Sequence, residues 1–554
     1  MLIKNHKKII LGYCYSLLKE LVISFVFYSS LSLAQDNSNI IKIGGSINLS
    51  DNFYTTNRTD KRQPSNVAQG IFRTTITIYD QIQLPFELYL SSRERRFQQP
   101  FNQFGVSPRI SNWLTLHAGY YSSNISDFTF GDLRLLGGGV ELTPGNFRFK
   151  VLYGRSQAAT EFRDYQYQSS VYKQNAYVVS IGYGNESVAY FDINLFHAID
   201  DSNSIKRDSL TNNPAENLVG SLKFGAQIID GLSFQSEVAV SAYSSNILSD
   251  RLEDISTPKI LFTPNVSSRV DGAAKIQFLI RPSNSWSLAL NAKWIGPGFT
   301  TLGYSLMTND LMEFSISPSV KLLDNKLYLR AQGGLRFNNL RNNRLSTTSR
   351  FTGSFNANWQ ISQKIGLDLN YNNNQIKSSH KNDTLKLSNV FNSIMVSPRF
   401  MFEGFGGINN ISVNYTYQNS LDKNVISSQY TDNKNHCLST IHSLSLQSLW
   451  SFTTSLVYNK NTTSNFSTEI INISENVSKR LFDNKLNITA GIGMNFIKTT
   501  KKDNQLYFNL ISNYNLGKYG SLGFTLSNSN YRADSEISET YHELYGGLQY
   551  NIAF

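Results

Sequence analysis

Leu548-Gln549-Tyr550-Asn551-Ile552-Ala553-Phe554 ends the chain. Its large apolar residues fall at every second position, small or polar residues fill the gaps, and the aromatic Phe554 comes last. Period two with one apolar and one polar face is the mark of a half-buried strand. Strands inside soluble domains rarely finish on the terminal carboxylate, whereas the strand that closes a membrane barrel can. The reading that follows is a sheet whose outer face meets lipid.

The same alternation recurs upstream. Trp286, Leu288, Leu290, Ala292 and Trp294 share one face, opposite Ser287, Asn291 and Lys293. Phe147, Phe149, Val151 and Tyr153 oppose Arg148 and Lys150, and Leu486, Ile488, Ile492, Met494 and Phe496 oppose Asn487, Thr489 and Asn495. Between such runs sit tight-turn pairs that tolerate positive φ: Pro144-Gly145, Asn185-Glu186, Asp230-Gly231, Asp324-Asn325 and Asp483-Asn484. Longer polar stretches near 156–171, 199–216, 244–267, 377–387, 421–435 and 529–538 alternate with these turns. Short turns on one side and long loops on the other belong to a membrane barrel. The rhythm predicts one all-β, up-and-down antiparallel transmembrane barrel over 35–554, of about 26 strands (24–26) and without a separate plug domain. The first strand is expected near 40–54 and the last near 538–554, with Pro85 marking a bulge.

Composition agrees. Of 554 residues 40% are apolar, only 16% are charged and 13% are aromatic, and the mean hydropathy of −0.29 looks soluble. Transmembrane strands give that value because only alternate residues meet lipid. Residues 1–34 read as a secretory signal: Lys4, Lys7 and Lys8 precede the apolar run Leu21–Tyr28, and Ser32-Leu33-Ala34 offers a cleavage site. That segment carries four Lys and one Glu, so a net charge of +11 falls to +8 after cleavage. Export predicts the cell outer membrane as the location, outer-membrane lipid and the barrel-assembly machinery as partners, and no contact with nucleic acid. Cys14 lies in the leader, leaving Cys437 alone in the mature chain and no intramolecular disulfide. Trp113, Trp286, Trp359 and Trp450 each sit beside a tight turn, and Trp294 lies eight residues beyond Trp286 on the same face. They are expected to form interface girdles.

By leader, hairpin rhythm and terminal aromatic strand (Leu548, Tyr550, Ile552, Phe554), the chain resembles outer-membrane β-barrel proteins of Gram-negative bacteria. Its Asn- and Lys-rich composition is similar to uncharacterised barrels of the Bacteroidota. The resemblance implies a membrane barrel and nothing about cargo. Neither the plug domain of TonB-dependent receptors nor the periplasmic domain and paired cysteines of the lipopolysaccharide-assembly barrel has a counterpart here.

Catalytic and cofactor signals are weak. His436, Cys437 and His442, near Asp432, come closest to metal spacing but lack a second cysteine, and read as loop polarity. His117 reads as a hydrogen-bonded wall residue. Gly137-Gly138-Gly139 falls within a strand pattern, where a bend or close approach explains it better than phosphate binding. No enzyme activity, metal or cofactor is therefore expected. Arginine is concentrated early, with eleven Arg against two Lys between 58 and 163. Alternation puts Arg73, Glu87, Arg134, Glu141 and Arg148 on the lumenal face, as either a solute-selecting cluster or a neutralising cross-strand ladder. Arg93-Glu94-Arg95-Arg96 reads as a solvated loop patch. The expected function is a passive or gated channel with a preference for anionic solutes. The alternative is a structural or interaction barrel that displays loops or docks a periplasmic or surface protein. A lumen this wide is expected to be open unless a loop such as 244–267 or the Arg-rich first strands folds inward, or a partner caps it.

Overall fold

The computed structural model describes residues 41–79, 81–92, 103–161, 170–206, 212–252, 261–380, 382–534 and 539–554. The proposed signal segment, the Arg93–Arg96 patch, residues 162–169 of the 156–171 stretch and residues 253–260 of the 244–267 stretch lie outside these residues.

Alternating sequences of this kind pair laterally until no edge is left. Each strand pairs antiparallel with its sequence neighbour from Ile41–Thr56 to Tyr541–Ala553. The first and last then pair with each other, from Ser46 opposite Ala553 to Thr56 opposite Glu543. Phe554 completes the seam, its N–H donating to the Gly45 carbonyl at 3.0 Å and its own carbonyl accepting from the Gly45 N–H at 2.7 Å. Gln103–Val106 and Arg109–Ile110 are two pieces of one strand, so the result is a closed 26-strand antiparallel barrel. At a spacing of about 4.8 Å and a tilt of about 40°, that many strands enclose a diameter of roughly 50 Å.

The two faces are sorted as the alternation requires. Leu222, Val238, Val240, Val270, Ile316, Leu335, Leu456, Ile473, Ile492 and Leu548 point outward, each about half exposed. A continuous apolar belt on that scale is unstable in water and fits acyl chains. The inward face of the strands from Thr348 onward is mostly Asn, Ser, Thr and Gln. Its amides bond across strands: Asn472 donates to Asn495 at 2.6 Å, Asn495 to Gln505 at 2.9 Å, and Gln505 to Ser529 at 2.8 Å.

Pro85 acts on its neighbour rather than on its own strand. Ile82–Ser91 runs through it unbroken, and its carbonyl accepts from the Ser107 N–H at 3.2 Å. Carbonyl and nitrogen of one strand residue face the same side, so the missing N–H also faces Ser107-Pro108. That is where the adjacent strand divides. The glycine triplet has a local cause as well. Gly105, Gly119, Gly137 and Gly154 form one register row across four strands. A Cβ at Gly137 would stand 2.1 Å from the Tyr153 carbonyl oxygen. Only glycine allows the backbones to approach that closely, as at a sharp corner of a sheet.

Candidate functional site in the lumen

A barrel this wide leaves an aqueous lumen unless something fills it. Here two loops on the long-loop side turn inward, 122–134 and 296–310, and clasp each other against one side of the wall. Their apolar residues dictate this. Phe128, Phe130 and Phe299 have at most 1% of their surface exposed, and they bury against Leu152, Val178, Phe196, Val219, Ile295 and Leu311. All six are inward-facing wall positions. Phe128 meets Phe299 edge-on at 6.0 Å between ring centroids, and Phe130 stacks on Phe196 at 5.9 Å.

Polar contacts fix the clasp. Thr301 donates to the Thr129 carbonyl at 2.7 Å, and Ser305 donates to Asp132 through both its N–H, at 2.9 Å, and its hydroxyl, at 2.6 Å. The Tyr304 hydroxyl donates to the Ser126 carbonyl. Burial first, then the charges of Asp127, Glu237 and Asp132, push the Tyr304 phenol above its ordinary range, so it remains a donor. Asn217 pins the second loop to the wall. It is fully buried, its amide nitrogen donating to the Thr300 carbonyl at 3.0 Å and its oxygen accepting from the Leu302 N–H at 2.9 Å. The described ends of loop 244–267, residues 244–252 and 261–267, do not join this inward cluster. Thr263 packs at the outer end, its N–H donating at 3.4 Å to Glu216, on the face that carries Leu222 and Phe224. The one phenylalanine of loop 244–267, Phe262, is buried outside the cluster that holds Phe128, Phe130 and Phe299.

The early arginine group divides into three sites. Arg73 bridges Glu87 at 3.2 Å and Arg134 reaches the same carboxylate at 3.8 Å. These line a lumenal recess of about 590 Å³ with Ser46, Thr75 and Ser107. Glu141 instead accepts from Lys150 at 3.1 Å and Ser123 at 2.8 Å, and lies 3.2 Å from the His117 ring. Arg148 bridges Asp192 at 2.7 Å.

Arg148 also begins a longer feature. One register row runs Arg148, Gly182, Asp192, Lys223, Glu237, Lys275, Lys293, Glu313, Arg336, Arg350 over ten consecutive strands. Six cations against three carboxylates leave this lumenal band net positive. The clasped loops sit on it, since Asp127 pairs with Lys275, its N–H donates to Glu237 at 3.2 Å, and Lys293 lies 5.5 Å from the Phe128 ring centroid.

The possible metal trio is dispersed. His436 faces outward between Tyr415 and Tyr417, Cys437 faces the lumen opposite Thr416 and Asn459, and His442 bonds Asn409 at 2.9 Å. Of the tryptophans, Trp113 lies in a tight turn, Trp286, Trp359 and Trp450 lie at strand ends beside tight turns, and Trp294 lies toward the loop end. All five are 37–46% exposed.

No known protein family matches the sequence, and no curated protein matches it. Among solved structures, the translocation pore of the P pilus usher (PapC) is 12% identical, with 93% of this chain and 99% of that chain covered and a TM-score of 0.35. The ferric-catecholate import receptor Fiu of E. coli K12 is 7% identical over 92% and 81% of the chains, with a TM-score of 0.37. The outer membrane protein OpdK of Pseudomonas aeruginosa is 11% identical over 66% and 98%, with a TM-score of 0.32. Those neighbours are a pore, a receptor and an outer-membrane protein. What this chain does rests on its own geometry.

Proposed function

We propose that this protein is a solute channel of the outer membrane, inserted by the barrel-assembly machinery, with the tryptophans anchoring it at the two lipid interfaces. The observation that carries this reading is the asymmetry of the lumen. One side is filled by the clasped loops, while the opposite wall is a mostly uncharged, hydrogen-bonded lining of amides and hydroxyls, and among the described residues the buried apolar cluster does not extend onto it. A wet wall of that kind lets water and small solutes pass without binding them tightly.

Ion preference follows from the band and from the Arg73–Glu87–Arg134 site, both of which hold more positive than negative charge. Wild-type protein in a planar bilayer is expected to conduct with a modest preference for anions. Charge reversal at both arginines, Arg73→Glu with Arg134→Glu, is expected to turn that preference toward cations, read as a change of sign in the reversal potential under a salt gradient. An unchanged reversal potential would remove this site from selectivity. A silent bilayer, with stoichiometric partner proteins on purification, would favour the display or docking alternative.

A further inference from the structure

At the short-turn end of the barrel, below the clasped loops, a second recess of about 690 Å³ opens into the lumen. It is lined by Arg281, Lys321 and Arg330, with Tyr328, Ser287 and Ser319 between them. Ser287 and Ser319 bond each other at 2.7 Å across two adjacent strands of that part of the wall. No carboxylate lines the recess. Asp230 and Asp324 stand in the flanking turns, and among the described residues none of the three cations forms an ion pair or a side-chain hydrogen bond. This differs from the Arg73 site, where Glu87 already occupies the arginines. Three unopposed cations facing one cavity repel each other, and an oxyanion relieves that repulsion while accepting from guanidinium, ammonium and hydroxyl donors. The volume lies in the range of small-molecule sites.

We infer that this recess binds small, multiply charged oxyanions, phosphate- or carboxylate-bearing solutes, at the periplasmic mouth. The inference rests on the lumen being water-filled, but not on solute passing through it. The probe is inorganic tripolyphosphate, titrated calorimetrically into the detergent-solubilised full-length barrel at low salt. Binding is expected, weakening as salt rises. The triple variant R281Q/K321Q/R330Q, shown to be folded by heat-modifiable gel migration, is expected to lose about tenfold or more in affinity. R73Q/R134Q should retain wild-type binding.

Three results would overturn the assignment: wild-type protein that fails to bind tripolyphosphate, a triple variant that binds as wild type does, or hexaglutamate binding more tightly than tripolyphosphate. The last would make the recess a docking groove for an acidic polypeptide. Wild-type protein that binds the probe yet passes no current would overturn the channel reading and leave the recess standing.

Discussion

Replacing Ile125–Asp132 with a short Gly-Ser bridge will raise single-channel conductance by roughly twofold or more, because current is set by the narrowest water-filled section of a pore. These residues carry Phe128 and Phe130, which fill the lumenal side of the wall, and Asp127, which ties the loop to Lys275. They also supply the Thr129 carbonyl and Asp132, on which the partner loop depends. Without them loop 296–310 keeps only its attachment to the wall. The strands flanking the excision remain paired from Leu114 opposite Leu142 to Tyr121 opposite Leu135, so the barrel itself should close. Unchanged conductance in a folded variant would mean that these loops do not bound the solute path.

Asn217→Leu is the second large effect. Leucine is close in volume, so packing survives while the hydrogen bonds are lost. The Leu302 N–H then lies buried and unpaired, at a cost of about 1–3 kcal/mol, and the Thr300 carbonyl keeps only the Ser241 hydroxyl as its donor. The local opening of loop 296–310 should ease by a similar amount. Hydrogen exchange at Thr300–Tyr304 is expected to speed up by about one to two orders of magnitude or more, while exchange in the strands stays unchanged. Channel recordings should show added open-state noise as the loop detaches. Protection that matches wild type would show that Phe299 and the bonds to loop 122–134 hold the loop without Asn217.

Most of the fold is legible in the chain because alternation is a local property. Trp286 to Trp294 reports its own two faces, and the pairs Asp230-Gly231 and Asp324-Asn325 report their own turns. The strand number and the seam between Ile41–Thr56 and Tyr541–Ala553 follow from counting such units. Part of the charged band is legible by the same logic, since tight hairpins pair residues equidistant from the turn. Glu313 and Arg336 flank Asp324-Asn325 symmetrically, and Lys223 and Glu237 flank Asp230.

The remainder depends on contacts that no local pattern encodes. Glu237 meets Lys275 across a long loop whose closure sets the register. For the same reason the five lumenal charges expected as one cluster divide into three sites. The inward loops did leave a trace, in Phe128 and Phe130 of one and Phe299, Leu302 and Met307 of the other. Apolar residues in a loop must be buried somewhere, and the lumenal wall is the nearest cover. Expecting 244–267 or the Arg-rich first strands to fold inward leaves unweighed where the apolar loop residues lie.

Ile473 and Ser474 adjoin in the middle of one strand and face opposite ways. Ile473 pairs with Leu456 and Met494, and Ser474 with Ser455 and Gly493. The decisive measurement is labelling of Ile473→Cys and Ser474→Cys, each in a Cys437→Ser background, by a membrane-impermeant thiol reagent after reconstitution into liposomes. A lipid-bathed barrel around a water-filled lumen predicts rapid labelling at 474 and protection at 473. Equal labelling at both positions, or protection at 474, would contradict it.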